Sequence, residues 1–216
     1  MADSEQDGIS RRAVVAGAAA GAGFVPLAAL TAQAQKMPSP PVTAIKRGLN
    51  PAQLKTLHAF LDRLCPTDEM GPGAVEMGAS EFIDRAMGDW LYAEAPAFTE
   101  GLAAIEAYAQ RAKGGAFPSL AIEVQDAVVG EMEAGTAAGF VNSRNVFNRV
   151  RQLMLQGMFS DPVYGGNRNF AGWDLIAYPG AVLGAAPQMS VMGERLKPLH
   201  TSAYPKAGEG SEHNGH

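Results

Sequence analysis

Apolar residues recur through the middle of this chain at spacings of three and four, the period of helices with one buried face. Leu54, Leu57, Leu61 and Leu64 form the first stripe. Asn50 marks its start as an N-cap, with Pro51 at the first helical position and Gln53 three residues after the cap. Cys65-Pro66 stops it, because the residue before a proline is pushed out of helical conformation. A second helix is predicted from about Ser80 to Tyr92, burying Phe82, Ile83, Met87 and Leu91. A third runs from about Ala97 to Lys113 on Phe98, Leu102, Ile105 and Ala109, with Gly114-Gly115 as its stop. Ser119 is placed to cap a fourth, striped by Leu120, Val124, Val128 and Met132. A fifth spans about Ser143 to Met158 with Phe147, Val150, Met154 and Met158 inward. No alternating strand pattern competes with these, so the prediction is an all-α domain of about five mostly antiparallel helices.

Other stretches break the pattern. Residues 35–48 hold Pro38, Pro40 and Pro41 and read as an extended linker. Residues 67–78 are a Gly/Pro turn region. Phe159 to Ala181 is long, rich in glycine and aromatic residues, and not expected to form one regular helix. Such a segment is uncommon unless it is functional or docks on something. The resulting division is a leader over 1–34, a linker over 35–48, a helical domain over 49–200 and a flexible tail over 201–216.

The leader carries its own signal. Arg11 and Arg12 stand before a mild apolar run from Ala13 to Leu30, and Ala32-Gln33-Ala34 supplies small residues at a cleavage-site spacing. Gly17, Gly21, Gly23 and Pro26 break the run, so it reads as a twin-arginine export signal and not a membrane anchor. The translocase that reads such a signal moves folded cargo into the periplasm. Either this chain takes up a cofactor before export, or it carries a folded partner that does.

Composition narrows the choice. The formal charge is −5 with no basic cluster, which gives nucleic acid no electrostatic purchase. The single cysteine, Cys65, cannot close an internal disulfide or hold an iron–sulfur cluster alone. It reads as a small buried residue at a helix end, or as a bridge to another subunit. No dinucleotide or phosphate-loop glycine motif, CxxCH, HExxH or ExxH occurs. His58 falls on the polar side of the first helix, His200 has no acidic or cysteine neighbour in sequence, and His213 and His216 lie in the tail.

Candidate chemistry is confined to the 157–181 loop. Asp161 and Asp174 flank Tyr164, and a carboxylate beside a phenol is one route to a useful acid or base. The competing account is structural: Asp161-Pro162 opens a turn, and Asn167 and Asn169 suit left-handed turn positions. Asp68 and Glu69 read as caps or solvated charges. Phe170, Trp173 and Tyr178 beside Arg168 have the make-up of a protein interface.

Several motifs occur in an order that resembles one family. They are Arg63-Leu64-Cys65-Pro66 with Asp68-Glu69, Gly71-Pro72-Gly73-Ala74, Gly78 and Phe82-Ile83-Asp84. Gly157-Met158-Phe159-Ser160-Asp161-Pro162, Tyr164-Gly165-Gly166-Asn167, Gly172-Trp173 and Tyr178-Pro179-Gly180 follow. With the twin-arginine start, the chain resembles the gluconate 2-dehydrogenase subunit 3 family, small subunits of membrane-associated, flavin-dependent sugar and polyol dehydrogenases. Ala177 stands where the resemblance leads one to expect glycine. The resemblance implies a non-catalytic partner with no cofactor of its own. Its large subunit would be a flavoprotein of the glucose–methanol–choline oxidoreductase type that binds FAD and lacks an export signal. A membrane-bound cytochrome with haem c would take the electrons onward. The small subunit would bring the folded flavoprotein to the twin-arginine translocase and stabilise it.

On that reading Phe159, Tyr164, Phe170, Trp173 and Tyr178 are expected as interface anchors, with Asn167 and Arg168 as polar contacts. The loop is expected to be mobile when free and ordered when bound. The alternatives are a self-contained periplasmic enzyme or small-molecule binder built around Asp161, Tyr164, Asp174 and Trp173, and a structural subunit at the mouth of the flavoprotein's active site.

Overall fold

The computed structural model describes residues 46–181 and 197–204. The leader, with Arg11, Arg12, Ala32 and Ala34, lies outside the described residues, as do most of the linker, His213 and His216. The described residues form six α-helices: α1 (Pro51–Leu64), α2 (Ala79–Gly88), α3 (Ala95–Lys113), α4 (Ile122–Ala134), α5 (Ser143–Phe159) and a short α6 (Ala171–Leu175). Among these residues the only β pairing is an isolated bridge between Asp68 and Gly71. The all-α prediction holds.

The capping box of α1 forms as its sequence requires. Gln53 N donates to Asn50 Oδ1 at 2.9 Å and Asn50 N to Gln53 Oε1 at 2.9 Å. The buried face is turned slightly from the predicted leucine stripe, because Thr56 and Phe60 join Leu57 and Leu61 inside while Leu54 and Leu64 are only partly covered. Phe60 is the hub that the stripe missed. Its ring meets Phe117 at 5.8 Å and Phe147 at 6.4 Å, joining α1 to the turn before α4 and to α5.

α5 is the central post, packed against α1, α2, α3 and α4. Gly157 sets how closely α2 can approach it, since a Cβ there would lie 2.8 Å from Ala79 Cα. Opposite, the segment entering α1 crosses α2, and its anchor is Asp84. This carboxylate is fully buried and accepts from Arg47 Nη1 at 2.7 Å, Gly48 N at 3.0 Å and Leu49 N at 2.9 Å. The last residues of the predicted linker therefore belong to the fold.

Two helix boundaries move for visible reasons. α2 ends at Gly88 and not near Tyr92, because the main chain of Lys46 lies over Gly88 and Leu91 N turns back to Ala86 O at 2.8 Å. Ser119 does not cap α4. It closes a 3-10 turn, Phe117–Ser119, pinned by the buried Phe117; α4 begins at Ile122, where Gln125 Nε2 reaches Leu120 O at 2.9 Å.

Candidate functional site

The segment after α5 was predicted to be irregular, and it is a succession of short turns: Pro162–Tyr164, Arg168–Phe170 and then α6. The last carbonyls of α5 have no helical partners, and this segment supplies them. Asn167 N donates to Gly157 O at 2.7 Å, Trp173 Nε1 to Phe159 O at 2.9 Å, and Asn167 Nδ2 to Ser160 O at 2.9 Å. Asn167 Oδ1 in turn accepts from Gly172 N at 2.8 Å. Close approach needs glycine: a Cβ on Gly166 would sit 2.0 Å from Gly157 O, and one on Gly172 would sit 1.8 Å from Met158 O. The Gly157–Trp173 motifs thus spell a helix cap made by the loop that follows the helix.

Two of the residues expected as partner contacts are turned inward. Asn167 is fully buried and Trp173 is 5% exposed, both committed to bonds within the chain. A Trp173→Ala variant would report on the fold, not on a contact. Within the chain the loop is hydrogen-bonded to the end of α5 through Asn167 and Trp173.

Other loop residues remain accessible. Tyr178 is 43% exposed, with its ring edge-on to Trp173 at 4.9 Å. Arg168 is exposed; it donates from Nη1 to Glu76 O at 3.1 Å and pairs with Glu81 at 3.4 Å, bracing the loop on the turn before α2. Phe170 stacks flat on His200 at 5.1 Å, and His200 Nε2 lies 2.7 Å from Asp174 Oδ1. Asp161 accepts from Val163 N, Ser202 Oγ and Ala203 N at 3.1, 2.7 and 2.9 Å. Residues 201–204, predicted to open a free tail, are therefore bonded to the loop, and Ala181 N donates to Thr201 O at 2.9 Å.

Tyr164 and Phe159 lead to the feature that the sequence did not reveal. Phe82, Trp90, Tyr164 and Tyr204 form a chain of edge-to-face rings, each 5.7 Å from the next. The Tyr164 hydroxyl donates to that of Tyr204 at 3.0 Å, and this bond, with some burial and the nearby charge of Asp161, raises its pKa. Beside these rings is an open groove of about 830 Å³ between α2 and α5, walled by Phe82, Trp90, Gln152, Leu155, Gln156, Phe159, Ser160 and Tyr164. Asp161 and Asp174 do not line it. Trp90 carried no sequence signal because it follows the end of α2, outside any helical stripe.

Exposed apolar side chains gather at this end. Of eleven large ones among the described residues, only Ile122 and Val141 lie elsewhere; the others belong to the turn at Met70, to Trp90 and Tyr92, and to residues 163–204. The turn at Met70 joins them because Gly71 faces Leu175. Cys65 is half-buried and free within the chain, and burial raises its thiol pKa, with a main-chain bond from Ala74 working against that. Among the described residues no group of three or more His, Cys, Asp or Glu side chains is arranged to hold a metal, and no helix is long and apolar enough to cross a membrane.

A small helical domain with its apolar exposure gathered at one end, next to a rigidly capped loop, has the build of an associating subunit. A family model described as gluconate 2-dehydrogenase subunit 3 matches residues 51–180, and the chain belongs to that family. Membership makes it a dehydrogenase-complex subunit, associated with a catalytic subunit. No curated protein and no solved structure matches the chain.

Proposed function

We propose that this chain is the non-catalytic small subunit of a periplasmic, FAD-dependent dehydrogenase acting on gluconate or a related sugar or polyol. It binds a catalytic flavoprotein of the glucose–methanol–choline type in the cytoplasm, stabilises it and carries it folded to the twin-arginine translocase through Arg11 and Arg12. FAD belongs to the partner. A membrane-bound cytochrome with haem c would accept the electrons and hold the complex at the membrane.

The observation that carries this reading is the apolar end, most of whose residues fall within the family match. Monomeric proteins rarely leave such side chains together in water, whereas a partner's surface would cover them. The twin-arginine leader adds the direction of travel, since it calls for folded cargo.

The test is affinity purification of the tagged chain from native periplasmic and membrane fractions, read by flavin absorbance and by identifying co-purifying chains. A stoichiometric flavoprotein, lost from the periplasm when Arg11 and Arg12 become Lys, is expected. A flavin-free lone chain would overturn the reading and turn attention to the small-molecule alternative.

A further inference from the structure

We propose that the groove between α2 and α5 is the socket of that interface, taking apolar side chains of the catalytic subunit together with a main-chain group hydrogen-bonded to Ser160. The proposal rests on the association described above and says where, and by what chemistry, it occurs.

Four observations point to a protein segment as the occupant. The groove walls carry no formally charged side chain, so they offer no countercharge to a phosphate, a carboxylate or a metal ion. A volume of about 830 Å³ would suit a small ligand as well, but apolar exposure continues past both rims. Tyr92, two residues after Trp90, and Val163, next to Tyr164 in sequence, are exposed, and the exposed Tyr204 packs on Tyr164. A small molecule would leave these in water; a protein surface covers them.

Trp90 has the properties of an anchor. It is 42% exposed, yet its ring is held between Phe82 and Tyr164, so little rotamer freedom remains to be lost on binding. Ser160 Oγ gives the polar signal. It is shut off from solvent in the groove wall with no hydrogen-bond partner, one of only two such side-chain atoms among the described residues. An unpaired buried hydroxyl is unfavourable, and a turn about its Cα–Cβ bond would offer it to an incoming carbonyl or N–H. Gln152 and Gln156, one turn apart on the α5 wall, add amides suited to a peptide backbone.

The experiment uses the full chain co-expressed with the catalytic subunit. Gln156→Trp fills the groove from an exposed helix position, and Trp90→Ala removes the anchor; Val141→Ala, at an exposed apolar position away from this end, is the comparison. Dissociation constants are measured on variants whose circular dichroism and melting match the wild type. Gln156→Trp and Trp90→Ala are each expected to weaken the complex tenfold or more, roughly the scale of hot-spot truncation, and Ser160→Ala by a few-fold. If the wild-type chain binds the catalytic subunit and both groove variants bind it equally well, the socket lies elsewhere and only this proposal falls. A small molecule retained by the wild type and displaced by Gln156→Trp, with the complex unaffected, would also overturn it. If the wild-type chain captures no catalytic subunit, the broader reading fails first.

Discussion

The two halves of α5 are held in different ways. Along its first three turns Phe147, Val150 and Met154 are packed into the shared core, and each buried side chain contributes through apolar area. Past Gly157, where Met158 is the last core side chain, polar atoms are added: a buried asparagine, an indole N–H and two glycines that let main chain touch main chain. Area is forgiving, because a neighbour repacks around a small change. A backbone-to-backbone fit has no rotamer to adjust. The end that carries the proposed interface is therefore the one least tolerant of substitution from behind.

Gly172→Ala is the sharpest way to break that comparison. Its Cβ would fall against the Met158 carbonyl, and only withdrawal of the loop relieves the clash. A loss of about 3 kcal/mol or more is expected, at the upper end of overpacking costs. Hydrogen exchange should show residues 160–181 losing protection while α1, α3 and α4 keep theirs. Uniform loss across all helices would mean the cap and the body form one cooperative unit.

Asp84→Ala tests the opposite anchor. It leaves the amide groups of Gly48 and Leu49 without an acceptor and removes the partner of Arg47. About 3 kcal/mol is expected from urea denaturation, in the range for breaking a buried charged contact. Because the incoming segment links the leader to the folded domain, Asp84→Ala should also make residues 46–49 cleavable by protease. Unchanged cleavage would show that Leu49 packing alone holds this segment.

The body was legible in the sequence where one physical term dominates. Helical period and the Asn50–Gln53 box placed α1 and most of α3 and α5, because burial of a single face decides those elements. Phe60 escaped, since a stripe read from leucines alone leaves out an aromatic one position away. The cap was legible only as a motif. Asn167 and Trp173 look like interface residues in sequence because buried hydrogen-bonding groups and exposed contact groups draw on the same residue types. Only coordinates show which carbonyl each one meets. The groove was invisible for another reason: Trp90, Gln156 and Tyr164 come from three separate segments with no shared period.

Within the body, the two contacts of Glu131 give a pH signature of their own. The Tyr108 hydroxyl donates to Glu131 Oε2 at 2.5 Å, and Lys113 Nζ donates to Glu131 Oε1 at 2.8 Å, tying α3 to α4. Burial, then the bond and charge of Glu131, push the Tyr108 pKa up to about 12, while Lys113 and Tyr108 lower that of Glu131. A raised phenol means stability fully present below the unfolded value of 10.0 and lost as pH rises through about 12. A lowered carboxyl means stability present above 4.5 and lost as pH falls through its folded value. Tyr108→Phe should cost about 1 kcal/mol at neutral pH and remove the Tyr108 part of the alkaline decline in denaturation midpoint. An unchanged alkaline arm would assign it to other groups.

The smallest effect expected belongs to the cap, and its sign is reversed. Ala177 adopts φ of 54°, a left-handed conformation that costs a residue with a Cβ roughly 1 kcal/mol relative to glycine. It does so where α6 ends: Ala177 N donates to Asp174 O and Tyr178 N to Trp173 O. This is the position where glycine was expected from the motif pattern, and the chain keeps the glycine conformation without the glycine. Ala177→Gly removes the strain but also frees the unfolded chain, so the net gain should be positive and below about 1 kcal/mol. A small rise in melting temperature with Tyr178 still seated on Trp173 would show that the cap tolerates relief of strain while refusing added volume at Gly172. A fall would mean that the methyl group of Ala177 contributes packing worth more than its left-handed turn costs.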